Sequence, residues 1–235
     1  MIAIIDYGAG NLRSVVNALA KLGYQPKVTR DPDDMLNATA VIFPGVGAAA
    51  DAIKSLRESG LDEAIRESIR HGQPVFAICV GMQVLLSATE EGGWSECLGI
   101  IPGAVKRLPS TEEGGWSKGL GIIPGTAKRL SSGLKVPHIG WNQVKQINRH
   151  RIFEGIPDES NFYFVHSYYA EPKDESLIAG TTEYGINMCS VLIKDNLVAT
   201  QFHPEKSGRL GLRMYDNFLK MAGVKEKMLC RKWNR

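Results

Sequence analysis

Apolar residues in this chain fall into short unbroken runs, separated by stretches in which they recur every three or four positions. Ile2–Asp6, Ala40–Phe43 and Val75–Ile78 are runs of the first kind. Such runs are what strands buried on both faces look like. Leu12, Val15, Val16, Leu19 and Leu22 have helical spacing and predict a helix over Asn11 to Leu22, ended by Gly23. A second helical stretch is expected from about Ala49 to Arg70, and a last one near Gly208 to Met221. Strand and helix alternate through the first 80 residues, which argues an α/β fold: a mixed, mainly parallel sheet flanked by helices. After about residue 98 the texture changes to short strands and turns, so an antiparallel extension is expected, followed by a strand over Leu197 to Phe202.

The 235 residues suffice for one α/β domain. A single domain is expected over 1–223, with a basic tail over 224–235. That tail holds Lys225, Lys227, Arg231, Lys232 and Arg235 against Glu226, a net +4 out of the chain's +3. The remainder is at −1, so no basic face for nucleic acid is implied. The N-terminus lacks the cationic start of a signal peptide, and no apolar run approaches the roughly 20 residues that span a membrane. Four cysteines (Cys79, Cys97, Cys189, Cys230) without CxxC spacing suggest free thiols in a reducing cytoplasm. No metal site or cofactor is expected. Gly8-Ala9-Gly10 after the first strand resembles the start of a dinucleotide fingerprint, but Arg13 stands where the third glycine belongs.

The middle of the chain holds a tandem repeat. Residues 89–108 recur, shifted by 22, as residues 111–130, with sixteen of twenty positions identical. Two copies do not make a solenoid. They compete for one place in the sheet, so one copy is expected to enter it and the other to form an excursion, at a loop cost on the order of 1 kcal/mol.

Chemistry concentrates at two distant segments. Val75–Ile78 runs into Cys79-Val80-Gly81, a small-residue turn of the nucleophile-elbow kind, with a helix expected from about Gly81. The amides of that helix start would favour a thiolate. The other segment is Gln201-Phe202-His203-Pro204-Glu205, in which Pro204 is expected to keep the chain extended. His203 and Glu205 then share a face but are too close to bond each other without local bending. Nucleophile, base and orienting acid are the parts of an activated cysteine. Pro44-Gly45-Val46-Gly47 ends another strand at the same edge of the sheet. Its backbone at Val46 and Gly47, with the Val80 amide, would form an oxyanion hole.

Cys79-Val-Gly-Met-Gln83 and Gln201-Phe-His-Pro-Glu-Lys-Ser207 resemble the class I glutamine amidotransferases. Asp6-Tyr-Gly-Ala-Gly-Asn-Leu12, Pro44-Gly-Val-Gly47, Pro137-His-Ile-Gly-Trp-Asn142 and Tyr163-Phe-Val-His-Ser-Tyr168 narrow the likeness to glutaminase subunits of imidazole glycerol phosphate synthases. The resemblance implies a cytoplasmic enzyme in which Cys79 attacks glutamine, His203 moves the proton and Glu205 orients His203. It implies that Gly47, Gln83, His166, Ser167 and Tyr168 hold L-glutamine, with Glu91 or Glu113 near its amine. It also implies a heterodimer with a cyclase subunit, a (β/α)8 barrel that takes the ammonia for histidine biosynthesis. Asn11, Trp141, Asn142, Tyr163 and Lys206 would face that partner; ordinary core and turn packing is their alternative. Departures are Ala77 and Val80, where the family has glycine and leucine, the basic tail, and the repeat, which the family carries once. A glutaminase serving another synthase and a catalytically dead binding protein are the rival readings.

Overall fold

A computed structural model describes residues 1–8, 12–89, 91, 95–107 and 135–225. The N-terminal part alternates β1 (Ile2–Ile5), α1 (Leu12–Lys21), β2 (Pro26–Thr29), α2 (Pro32–Leu36), β3 (Ala40–Phe43), α3 (Ala49–Ser59), α4 (Leu61–Arg70), β4 (Val75–Ile78) and α5 (Val80–Val84). Short strands follow: β5 (Ala88–Thr89), β6 (Ser95–Glu96), β7 (Gly103–Arg107), β8 (His138–Gln146), β9 (Ser160–His166), β10 (Tyr168–Pro172), β11 (Ile178–Glu183) and β12 (Asn187–Lys194). Then come β13 (Leu197–Thr200), a single 3-10 turn over Pro204–Lys206, and α6 (Gly208–Met221).

The sequences IAII, AVIF, VFAI and LVAT of β1, β3, β4 and β13 are buried at every position. They are neighbours in the order β2-β1-β3-β4-β13, and all four pairings are parallel. Burial on both faces therefore accounts for the unbroken apolar runs. The helices divide into α1 with α6 and α2, α3 and α4 together, one group for each face. Antiparallel β12 continues the sheet past β13, and β10, β7, β5 and β6 follow it. β11 also pairs with β12 and leads to β8 and β9. The α/β reading with an antiparallel extension holds.

Three local expectations change. The helical stretch over residues 49–70 is two helices, because Gly60 between them has φ +71 and caps α3 in the left-handed region. A Cβ at Gly60 would meet nothing within 4 Å. Gly60→Ala should therefore lose about 1 kcal/mol of stability through backbone strain alone, read as a lower midpoint in urea with an unchanged slope. β2 and α2 were not foreseen: Pro26-Lys-Val-Thr29 is an edge strand with two exposed positions, too short and polar to stand out. α2 starts where the Asp31 carboxylate accepts from the Asp33 amide, with Pro32 at its first turn.

The first repeat copy enters the sheet. It supplies β6 and β7, and β7 pairs with β10 in register from Tyr168↔Arg107 to Pro172↔Gly103. Its amides also cap α5: Leu98 donates to the Val84 carbonyl at 2.8 Å, Ile101 to Leu85 at 2.8 Å and Gly99 to Leu86 at 2.9 Å. These carbonyls would otherwise be unsatisfied at a buried helix end. The second copy, 111–130, lies outside the described residues, as do Asn11, Glu113 and 226–235 of the tail. At the tail's start, Val224 packs on the core and donates to the Leu219 carbonyl at 2.9 Å. Among the described residues no helix is long and apolar enough to cross a membrane.

Candidate active site

β3, β4 and β13 are adjacent and parallel, so the loops leaving their carboxyl ends meet at one edge of the sheet. These are the loops carrying Val46 and Gly47, Cys79, and His203. The register Thr200↔Ile78 sets the last strand residues side by side, and the Cys79 amide extends the ladder to the Thr200 carbonyl at 2.7 Å. Such an edge is where open α/β sheets place their ligands.

Cys79 has φ 53 and ψ −109, a conformation that costs a non-glycine residue on the order of 1–3 kcal/mol. It is the elbow expected from the sequence, although the helix begins one residue earlier, at Val80. The turn is held by two glycines. A Cβ on Gly45 would collide with the Gly81 amide nitrogen, and one on Gly81 with the Phe43 carbonyl oxygen. The β3 loop and the elbow thus meet backbone to backbone, which only hydrogen at those positions permits.

The expectation that Pro204 keeps the chain extended is corrected. Pro204 opens the 3-10 turn, as proline's fixed φ suits a first helical position. That curl supplies the local bending the histidine–acid pair needs: His203 Nδ1 lies 2.8 Å from Glu205 Oε1, both side chains almost wholly buried. β9 clamps the segment. The His203 amide donates to the Tyr163 carbonyl at 2.9 Å, and Ser207 Oγ donates to the His203 carbonyl at 2.6 Å. Burial opposes a charge on His203, but the neighbouring Cys79 sulfur and the Glu205 carboxylate outweigh it and push the imidazole up to about 10. Glu205 Oε2 is also buried. Its neighbour is the Tyr215 phenol, which burial and that carboxylate push well above the ordinary tyrosine range, although the two stand outside strict hydrogen-bond geometry.

A cavity of about 380 Å³ opens over Cys79, of a size that suits a small amino acid. Its lining includes Val46, Gly47, Val80, Gln83, Glu91 and Lys206. Pro137, the 165–168 segment and His203 complete the wall, so every expected glutamine-holding residue reaches it. Glu91 belongs to the first repeat copy. Its carboxylate accepts from the Ala49 amide, and burial raises its pKa. Burial pushes the Tyr7 phenol above the ordinary tyrosine range, against a smaller opposing influence from the Val46 backbone that is expected in the oxyanion hole.

His166 shows how the wall is fixed. A carbonyl can only accept, so the 2.8 Å contact to the Tyr168 carbonyl puts the proton on His166 Nδ1. His166 Nε2 must then accept from His138 Nδ1 at 3.0 Å. His138 Nε2 in turn accepts from Asn142 Nδ2 at 3.3 Å, whose other hydrogen goes to the Glu183 carbonyl at 3.0 Å. Burial pushes His138 down to about 4 and His166 down to about 3, in keeping with two neutral rings. Both ring nitrogens of His166 are thus engaged within the protein.

Of the expected partner-facing residues, Trp141 is 58% exposed on β8, which sets aside the alternative that it is buried. It meets the Tyr163 ring edge-on at 6.1 Å, and Lys206 Nζ stands 5.8 Å from the centre of the same ring. Trp141, Tyr163 and Lys206 form one cluster at the rim of the cavity. Asn142, half-buried, points back toward His138. Gln201, His138 and Tyr215 were missed as site residues. Gln201 stands two before His203 in the same quoted segment, and that spacing was the available signal.

The family description "Glutamine amidotransferase class-I" matches residues 3–222. The chain is 54% identical to the imidazole glycerol phosphate synthase subunit HisH of Dehalococcoides mccartyi strain CBDB1, covering 94% of this chain and 98% of that protein. It is 48% identical to the subunit of the same name from Moorella thermoacetica, over 92% and 93% of the two chains. Among solved structures, one described as a glutamine amidotransferase superposes with a TM-score of 0.67 at 20% identity, covering 95% of this chain and all of that one. PurLQS from Thermotoga maritima gives 0.66 at 15% identity, covering 94% and 97%. These two likenesses are of fold.

Proposed function

Because this chain belongs to the class I glutamine amidotransferase family, we propose that it hydrolyses glutamine to glutamate and ammonia at Cys79, His203 and Glu205. The observation that carries the reading is the buried 2.8 Å His203–Glu205 pair beside a cysteine on a strained elbow, under a cavity that fits one amino acid. With Nδ1 held by Glu205, His203 has Nε2 for the reaction. The Cys79 thiolate attacks the carboxamide carbon, and His203 Nε2 gives its proton to the departing ammonia, leaving a thioester. His203 then takes a proton from water, the hydroxide attacks the thioester, and glutamate leaves as the sulfur is released. The Val46, Gly47 and Val80 amides are the proposed donors to the oxyanion. Gln83 and the 166–168 segment would hold the amino-acid end, with the Glu91 carboxylate toward its ammonium.

The full relatives' shared name supports a partner subunit. We read it as a (β/α)8 cyclase, forming a heterodimer over Trp141, Tyr163 and Lys206, with Asn142 behind them; Asn11, outside the described residues, is proposed to face it by the family likeness alone. The cyclase would use the ammonia to make imidazole glycerol phosphate and aminoimidazole carboxamide ribonucleotide in histidine biosynthesis, in the cytoplasm. The domain over 1–223 then contains the duplication, and the basic tail over 224–235 follows it. Glutamate release, measured with and without the cyclase, tests the reading: release that rises with the cyclase is expected, and none in either condition refutes it.

A further inference from the structure

The nucleophile has a polar neighbour that the triad leaves out. Gln201 is wholly buried at the end of β13, and its Nε2 lies 3.6 Å from Cys79 Sγ. Which end of that amide faces the sulfur is decided by the groups behind it. The Tyr168 carbonyl can only accept, so the 2.9 Å contact to it assigns Gln83 Nε2 as the donor. The second hydrogen of Gln83 Nε2 goes to Gln201 Oε1 at 3.1 Å. With its oxygen held there, Gln201 presents N–H to the sulfur. The same Tyr168 carbonyl anchors the His138–His166 pair. One backbone oxygen thus fixes both branches of the network.

We infer that Gln201 is a further catalytic residue: its amide N–H donates to Cys79 Sγ and stabilises the thiolate. A donor to the charged form favours that form. His203 supplies a cation that must later give its proton to ammonia. Gln201 supplies a neutral donor that stays in place through attack and release, on a side chain with no freedom to turn. The inference rests on Cys79 being the nucleophile.

The test follows Cys79 alkylation by iodoacetamide against pH, with the Cys79 peptide quantified by mass spectrometry so that other cysteines do not enter. The groups facing Cys79 are His203 and Lys206 beyond β13, Tyr7 after β1, Glu91 in the first repeat copy, His166 on β9 and Tyr168 on β10. All are unchanged in the variants. Gln201→Met removes the donor and should raise the midpoint by about one pH unit, cutting alkylation at pH 7 several-fold. Gln201→Glu keeps the size and the bond to Gln83 but turns an acceptor toward the sulfur, and should raise the midpoint further. Lower melting temperatures with an unmoved midpoint in both variants would mean a structural role and overturn the inference, as would a lowered midpoint. If neither variant folds, Gln83→Leu carries the test: it releases the Gln201 oxygen, so the midpoint should again rise, and an unmoved one overturns the inference. Glutamine is absent from this assay, so its outcome is separate from whether glutamine is the substrate.

Discussion

Glutamine turnover will fall on the order of 10⁶-fold in both Cys79→Ala and Cys79→Gly, and the glycine variant will be the more stable of the two. The first part follows from removing the sulfur proposed to form the thioester. The second follows from the elbow. At φ 53 and ψ −109 a Cβ is strained, and glycine releases roughly 1–3 kcal/mol that alanine retains. Near a helix start the ordinary expectation is the reverse, with alanine ahead by up to about 1 kcal/mol. Both variants lose the sulfur, so their difference isolates the backbone. Urea unfolding of the two proteins measures it; alanine equal to or ahead of glycine would mean that the elbow stores no strain. Such strain is tolerated because the surroundings over-determine it, here the β4–β13 ladder and the Gly45–Gly81 contact.

Glu205→Gln should lower turnover about 10⁴-fold while leaving the fold intact. The buried Tyr215 hydroxyl beside the carboxylate favours the amide oxygen on its own side, which turns the NH₂ toward His203 Nδ1. Nδ1 must then accept, its proton moves to Nε2, and the neutral ring can no longer take a proton from water. The same substitution changes how stability follows pH. His203 is raised from 6.5 to about 10, so its pairing stabilises the fold fully below about pH 6.5 and is lost as pH rises toward 10. Melting temperature against pH should therefore decline across that window in the parent protein and be flatter in Glu205→Gln. Equal slopes would show that the carboxylate does not hold the charge on His203.

The parts of the site that the sequence made legible are those where one local rule decides the outcome. β1, β3 and β4 are unbroken apolar runs because both faces are covered, and their bounds follow almost to the residue. Cys79 was legible because a nucleophile elbow needs small neighbours on both sides. β2 was not, since an edge strand with Lys27 exposed carries little hydrophobic signal. The Pro204 turn was misjudged because proline's φ fits extended chain and first helical turn alike, and tertiary contacts with β9 chose the turn. The His138–His166 pair, 28 residues apart in sequence, comes from the β8–β9 register, which no local rule supplies. Gln201 was read as part of a motif, and only the direction of its amide gives it a role.

Strand β8 carries a cost outside catalysis. Ile139 and Trp141 lie on one face of it, 56% and 58% exposed, and Ile147 just beyond is 53% exposed. Large apolar side chains gathered at a strand surface invite self-association when nothing covers them. Synthesis of this chain in excess of whatever binds there becomes a proteostasis load: surplus copies would find each other. Matched production of this chain and of its partner would then be a condition of keeping the chain dispersed as much as of using its product.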